Sequence, residues 1–231
     1  VRRIGLLGGM SWESSAEYYR LVNEEVRERL GGLHSADCVL RSVDFAVIEA
    51  LQRDGRWEQA GQLLAAEART LAGAGAEVLV LCTNTMHKLA DVIAEAAGIP
   101  FVHIADATAE AIRAEGLRTV GLLATAYTME QDFYVGRLRE RHGLDVLVPG
   151  GEDRRIVHDV IYDELCAGVA DDGSRAQLRR IMAGLARRGA QAVLLGCTEL
   201  GLLAGPGDSP VPVFDTTRLH ARRAVALALA P

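Results

Sequence analysis

Val78-Leu79-Val80-Leu81-Cys82-Thr83-Asn84-Thr85 is an apolar run that ends in a thiol followed by three hydrogen-bonding residues. Ala192-Val193-Leu194-Leu195-Gly196-Cys197-Thr198-Glu199 repeats the plan, its cysteine 115 positions after the first (197 − 82). Ile4-Gly5-Leu6-Leu7 returns as Val120-Gly121-Leu122-Leu123 at an offset of 116 (120 − 4). Short runs that are apolar on both faces suit strands buried inside a parallel sheet. A chain of two similar halves, each with one thiol at a strand end, can set those thiols on opposite sides of a cleft. One thiol serves nucleophilic chemistry. Two facing thiols suit taking a proton from one face of a carbon and returning one to the other.

Outward from these segments, β-like runs alternate with amphipathic ones. Strands are expected over 4–7, 39–45, 77–81, 101–104, 119–123, 146–148, 192–195 and 211–214. Ala16, Tyr19, Val22, Val26 and Leu30 recur at helical spacing behind Ser11, a suitable N-cap. Helices are also expected over 57–72, ending at Gly73 and Gly75; over 86–97, ending at Gly98 before Pro100; over 156–167; and over 216–230. The alternation predicts an α/β fold of two pseudo-symmetric lobes, each a roughly four-stranded, mainly parallel sheet flanked by helices. The expected division is an N-terminal lobe over 1–115, a C-terminal lobe over 116–215, and a C-terminal helix over 216–231 that packs back on the first.

The 231 residues carry a net charge of −6 and no basic run, which argues against a nucleic-acid partner. The apolar runs are shorter than about ten residues, too short to span a bilayer, so no membrane partner is expected. Val1-Arg2-Arg3-Ile4-Gly5-Leu6 enters a strand pattern without a cleavage signal. Cys38, Cys82, Cys166 and Cys197 are too few and scattered for a disulfide framework, which points to a reducing cytoplasm. The six histidines lack metal-ligand spacing, so no metal is expected. Lys88, the only lysine, is a poor basis for a pyridoxal phosphate site, and no cofactor is expected.

In parallel α/β sheets, ligands bind beyond the carboxyl ends of the strands. Cys82 and Cys197 belong there, and Thr83-Asn84-Thr85 is expected to open a helix whose N–H groups face the cleft, lowering the thiol pKa and seating a carboxylate. The bland alternative, cysteine as a small buried hydrophobe, fits Cys38 and Cys166 and fits the repeated pair poorly. Both copies follow Cys-Thr with a hydrogen-bonding residue, Asn84 or Glu199. Gly8-Gly9-Met10-Ser11 matches neither the dinucleotide nor the Walker spacing and reads as a tight turn approaching a small anion. Its repeat partner spans Ala124 to Met129, where Thr125 and Thr128 either line the same cleft or simply cap a helix. His87 and Lys88 read as ordinary helix residues.

Gly8-Gly9-Met10-Ser11-Trp12-Glu13-Ser14, Cys82-Thr83-Asn84-Thr85-Met86-His87-Lys88 and Gly196-Cys197-Thr198-Glu199-Leu200 strongly resemble the cofactor-independent aspartate/glutamate racemase family. The likeness covers essentially the whole chain, with Asp44-Phe45 and Ile161-Tyr162-Asp163-Glu164-Leu165 included. It implies an active site between two lobes, a small amino-acid substrate, no cofactor, and often a homodimer. The family's catalytic cysteines carry over onto Cys82 and Cys197, and its substrate-contacting positions onto Met10, Asn84, Thr85, Thr125, Thr128 and Thr198. Thr83, Glu199 and Gln52 join the expected binding set. Aspartate-specific members typically carry an arginine shortly after the aspartate of the Asp44 region and a lysine near the end of the helix closing at Cys166-Ala167-Gly168. Val47 and Cys166 stand there in this chain, with Arg53 as a substitute cation. The stretch from Ser42 through Gln52 resembles the branch that racemises several amino acids.

The rival readings are a related cysteine enzyme on another carbon acid (a decarboxylase, a cis–trans isomerase or a hydantoin racemase) and a non-catalytic small-acid binding protein. A thiol redox protein fits least, because neither cysteine has a Cys-X-X-Cys partner.

Overall fold

Strands with no polar side chain need partners on both edges and cover on both faces, and the central strands obtain both. In the computed structural model, which describes residues 1–230, β1 (Ile4–Gly8) and β3 (Val78–Leu81) are buried along their whole length. They pair in parallel, with β2 (Cys38–Ser42) beside β1 and β4 (Phe101–Val102) beside β3, giving the order β2-β1-β3-β4. A second parallel sheet repeats the topology as β6-β5-β7-β8, from β5 (Thr119–Ala124), β6 (Asp145–Leu147), β7 (Ala192–Gly196) and β8 (Val213–Asp215). The fold is therefore α/β with two four-stranded parallel sheets flanked by helices.

The chain divides into two compact units, Val1–His103 with the residues from His220 onward, and Ile104–Leu219. This differs from the sequence-based boundary at residue 115. Helix α5 (Ile104–Ala114) belongs to the second unit because Ile104, Ala105, Ala109 and Ile112 join the core built on Val120 and Leu122. The C-terminal helix α11 (Thr216–Leu229) changes unit within its length, at His220.

Strand periodicity explains the two cores of the first unit. Ile4, Leu6, Val78 and Val80 point to one face, where α1 (Trp12–Leu30) contributes Tyr18, Leu21, Val22 and Val26, and α11 contributes Ala221, Ala224 and Val225. Leu7, Leu79 and Leu81 point to the other, against Ile48 of α2 (Phe45–Arg53), Leu64 and Leu71 of α3 (Trp57–Gly73), and Ile93 of α4 (Ala90–Ala97). The second unit has one continuous core, in which α7 (Asp132–His142) contributes Tyr134 and Leu138 and α9 (Asp172–Arg187) contributes Leu178, Met182 and Leu185.

The repeated glycine in Ile4-Gly5 and Val120-Gly121 has a packing cause. A Cβ on Gly5 would stand 2.8 Å from the Ala76 Cβ, and one on Gly121 2.9 Å from the Leu185 Cδ1. Both sites need glycine for close approach to the neighbouring helix or its exit turn.

Several elements differ from the sequence reading; the strand expected over 101–104 is two residues long, because Ile104 opens α5. The strand expected over 39–45 stops at Ser42, because Asp44 caps α2, its carboxylate accepting from the Ala46 N–H at 3.1 Å. The helix expected over 86–97 is a 3₁₀ turn, Thr85–Leu89, followed by α4, which ends on Gly98 in the left-handed conformation. The helix expected over 156–167 is α8 (Gly151–Asp159), a π-helical turn over Val160–Glu164 and a 3₁₀ turn over Leu165–Ala167.

Candidate active site

In each sheet the chain leaves its first strand toward one neighbour and returns to the other side, so the switch point lies between β1 and β3, and between β5 and β7. Ligand crevices form beyond the carboxyl ends of strands at such points. Leu7 is paired with Leu81, so Gly8 and Cys82 are the next residues out, and the Cys82 N–H donates to the Leu7 carbonyl at 2.8 Å. Ala124 is paired with Gly196, so Thr125 and Cys197 are the next residues out in the second unit. Each cysteine is thus the first residue beyond a central strand, but the registers differ by one: Cys82 is level with Gly8 as Gly196 is with Ala124, so Thr83 is the positional counterpart of Cys197.

The turn after β1 is tied inward. Gly9 has φ +92°, and a side chain there would run into the Val43 backbone. Its N–H donates to Ser15 Oγ at 2.7 Å, and Ser15 Oγ donates to the Ser11 carbonyl at 2.9 Å. The Met10–Ser11 peptide is cis. Met10 is buried in the core that contains Leu7 and Ile48. Ser11 caps α1 as expected, accepting from the Ser14 N–H. Ser14 Oγ in turn donates to the Cys82 carbonyl at 3.0 Å, joining this turn to the one after β3.

Cys82 is fully buried in the core that holds Tyr18, Val78 and Val80, and its thiol makes a long contact to the Val80 carbonyl, 3.8 Å. Burial pushes this thiol well above its ordinary pKa of 9.0. Cys197 is half-buried and donates to Glu199 Oε2 at 2.9 Å. Its pKa is also raised well above 9.0, by burial first and the Glu199 carboxylate next. The expectation of a depressed thiol pKa is therefore overturned: both thiols are raised. The segment after Cys82 opens a 3₁₀ turn rather than an α-helix, and α10 (Leu200–Leu203) after Cys197 is four residues long. Neither offers a macrodipole able to offset desolvation.

Apart from Gln52, the remaining expected residues occupy strand-end segments of their own unit. Thr83, Asn84 and Thr85 are buried in the turn after β3. Thr125 caps α6 (Ala126–Glu130), its Oγ1 accepting from the Thr128 N–H and lying 3.2 Å from Thr128 Oγ1, with both residues buried. Thr198 is half-buried and Glu199 buried at the start of α10. Gln52 is buried in the last turn of α2, away from the strand-end turns in sequence. Val47 lies half-exposed in the first turn of α2, and Arg53 pairs with Glu49 at 2.7 Å. Cys38 and Cys166 pack against the cores of their units, as their settings suggested.

Among the described residues, no group of three or more His, Cys, Asp or Glu side chains is placed to hold a metal ion, and no helix is long and apolar enough to cross a membrane. Lys88 lies with its ammonium 3.9 Å from the Trp57 ring centroid, a cation–π contact.

Residues 7–224 match the Asp/Glu/Hydantoin racemase family. The chain belongs to that family. A crystal structure of a Yersinia pestis protein, provisionally described as an Asp/Glu racemase, is 52% identical, with a TM-score of 0.93 and 100% of both chains covered. An aspartate racemase homologue from Pyrococcus horikoshii is 34% identical, with a TM-score of 0.86 and 100% of both chains covered. An uncharacterized protein from Pectobacterium carotovorum is 31% identical over 102 residues, spanning 44% of this chain and 66% of that protein, just under two thirds of its length.

The sequence reading of this racemase-family chain gave Ser14 no role and took His87 for an ordinary helix residue. His87 is buried, and its Nδ1 lies 2.7 Å from the Thr83 carbonyl. The available signal was spacing: Thr83 and His87 are four residues apart across a turn that begins at a candidate catalytic cysteine.

Proposed function

We propose that this chain is a cofactor-independent amino-acid racemase in which Cys82 and Cys197 exchange protons with the substrate α-carbon. The observation that carries the reading is that each thiol is the first residue beyond a central strand at a switch point, one in each repeat of the sheet. Racemisation needs a base on one face of the α-carbon and an acid on the other, so the reading requires the thiols to reach opposite faces of one substrate. One thiolate takes the α-proton and becomes a thiol. The other thiol protonates the carbanion and is left as a thiolate.

Both thiols are held protonated at neutral pH by burial, so a thiolate must be produced when substrate binds. The cationic ammonium of an amino acid favours the thiolate by Coulomb attraction. Glu199 Oε2, already hydrogen-bonded to Cys197, is the adjacent acceptor for its proton. Thr83, Asn84, Thr85, Thr125, Thr128, Thr198, Met10 and Gln52 remain the proposed substrate-binding set.

Side-chain selectivity follows from the absence of a cation at two positions. Val47 and Cys166 are uncharged, and Arg53 is engaged by Glu49. A buried carboxylate without a paired cation costs several kcal/mol. Neutral or polar amino acids of homoserine or glutamine size are therefore expected to turn over at rates comparable with or above aspartate. Incubation of the purified protein with a panel of L- and D-amino acids in D₂O, followed by chiral analysis, tests both statements. Absence of α-hydrogen exchange across the panel would sink the racemase reading. Turnover of aspartate and glutamate alone would overturn the selectivity, and Val47→Arg is expected to move preference toward aspartate.

A further inference from the structure

The turn carrying Cys82 is held from beneath by a buried histidine. A carbonyl oxygen only accepts, so His87 Nδ1 carries the proton and donates to the Thr83 oxygen at 2.7 Å. The His87 backbone N–H also donates to the Asn84 carbonyl at 3.1 Å. One residue therefore holds two consecutive peptides of the turn, Thr83–Asn84 and Asn84–Thr85.

His87 is itself immobilised by aromatic neighbours. Its ring meets those of His103, His220 and Phe101 at centroid distances of 4.6, 5.5 and 5.6 Å. His220 is locked in one tautomer: its Nε2–H donates to the Val102 carbonyl at 2.7 Å, so Nδ1 accepts from the Tyr18 hydroxyl, also at 2.7 Å. Burial lowers the His220 pKa to about 4, so the His220 ring is uncharged at neutral pH.

The Thr83–Asn84 peptide is planar and trans, so its N–H points opposite to its carbonyl. With the Thr83 oxygen bonded to His87, the Asn84 N–H is turned to the side away from the histidine cluster. We propose that His87 is a positioning residue that sets the facing of the Thr83–Asn84 peptide, and with it the Asn84 N–H, for a substrate carboxylate beside Cys82. The substrate part of this inference rests on the racemase reading; the orientation of the peptide does not.

Two substitutions separate the hydrogen bond from the packing. His87→Phe keeps an aromatic ring and removes the donor, whereas His87→Asn removes the ring and keeps a donor near the Nδ1 position. Positioning predicts that His87→Phe lowers kcat/KM by about 100-fold, the size of effect that a misplacement of ~1 Å produces. His87→Asn should lose less than about tenfold, even where its melting temperature is the lower of the two. A packing role predicts the reverse order, and His87→Phe equal to or better than His87→Asn would overturn the inference.

The amide proton and nitrogen shifts of Asn84 provide an arm that needs no turnover. They should move in His87→Phe and return toward wild type in His87→Asn; an unmoved Asn84 amide in His87→Phe would also overturn the inference. If the amide moves as stated while wild-type protein exchanges no α-hydrogen, the peptide-orienting role stands and the racemase reading fails.

Discussion

Glu199 acts on Cys197 in two opposed ways. Its negative charge and hydrogen bond hold the proton on the thiol, yet its carboxylate is within reach to receive that proton. Glu199→Gln separates these effects. The substitution removes the charge, so the Cys197 thiol pKa should fall and alkylation by iodoacetamide at pH 8 should quicken. If the carboxylate relays the proton, racemisation should fall by about 10²–10⁴-fold, the usual contribution of a general base. Faster alkylation together with faster racemisation would show that Glu199 only restrains the thiol. The Cys82 thiol lies against the Val80 carbonyl, so its reactivity should be unmoved by the same substitution. This asymmetry was not legible in the sequence. Cys-Thr recurs in both halves, but the loss of solvation that raises both thiols depends on which side chains close around the strand ends.

At the scale of elements, the repeated strand glycines make a test of how closely strands and their covering segments approach. Gly5→Ala would place a methyl 2.8 Å from the Ala76 Cβ, and overpacking of this kind costs about 1–3 kcal/mol. Adding Ala76→Gly should restore part of that loss in urea unfolding; no recovery would show that the clash lies elsewhere. The ties between α1, β4 and α11 give a second test, because His220 joins all three through Tyr18 and Val102. Its pKa is about 4 in the folded protein against 6.5 for the unreacted side chain. The unfolded chain therefore takes up the proton first as pH falls. The stabilisation is fully present above about pH 6.5 and declines towards pH 4, by about 3 kcal/mol at 1.36 kcal/mol per pKa unit. His220→Asn should flatten the decline of stability between pH 6.5 and 4 relative to wild type; an unchanged slope would contradict the assignment.

Strand identity was legible because buried parallel strands carry no polar face, and the Cys-Thr ends marked where they stop. The divided helix after Cys82 was not, since a 3₁₀ turn running into an α-helix keeps apolar residues at similar spacing. Asp44 is a standard N-cap, but the apolar residues on either side of it concealed the change from strand to helix. His87 was the costliest omission, because a lone histidine in a helical pattern has no mark of burial until the cluster around it is assembled.

For the whole molecule, the informative fact is that each compact unit has one cysteine at the end of a central strand, Cys82 in the first and Cys197 in the second. A fold made by repeating a parallel four-stranded sheet produces the same strand-end turn twice, and this chain carries a cysteine in both. If the thiols form one two-base device, neither half retains racemisation without the other. Cys82→Ala and Cys197→Ala should each lower racemisation by about 10²–10⁴-fold or more. The double substitution should be scarcely worse than either single one, because residues acting as a unit are strongly non-additive. Near-normal racemisation in either single variant would rule out the two-base reading. A third result is diagnostic of a one-base enzyme: loss of function confined to one cysteine, with the other variant still exchanging the α-hydrogen for deuterium and retaining configuration. Cys→Ser at either site should be nearly as damaging as alanine, since a hydroxyl in the same desolvated setting is a far weaker acid than the thiol it replaces.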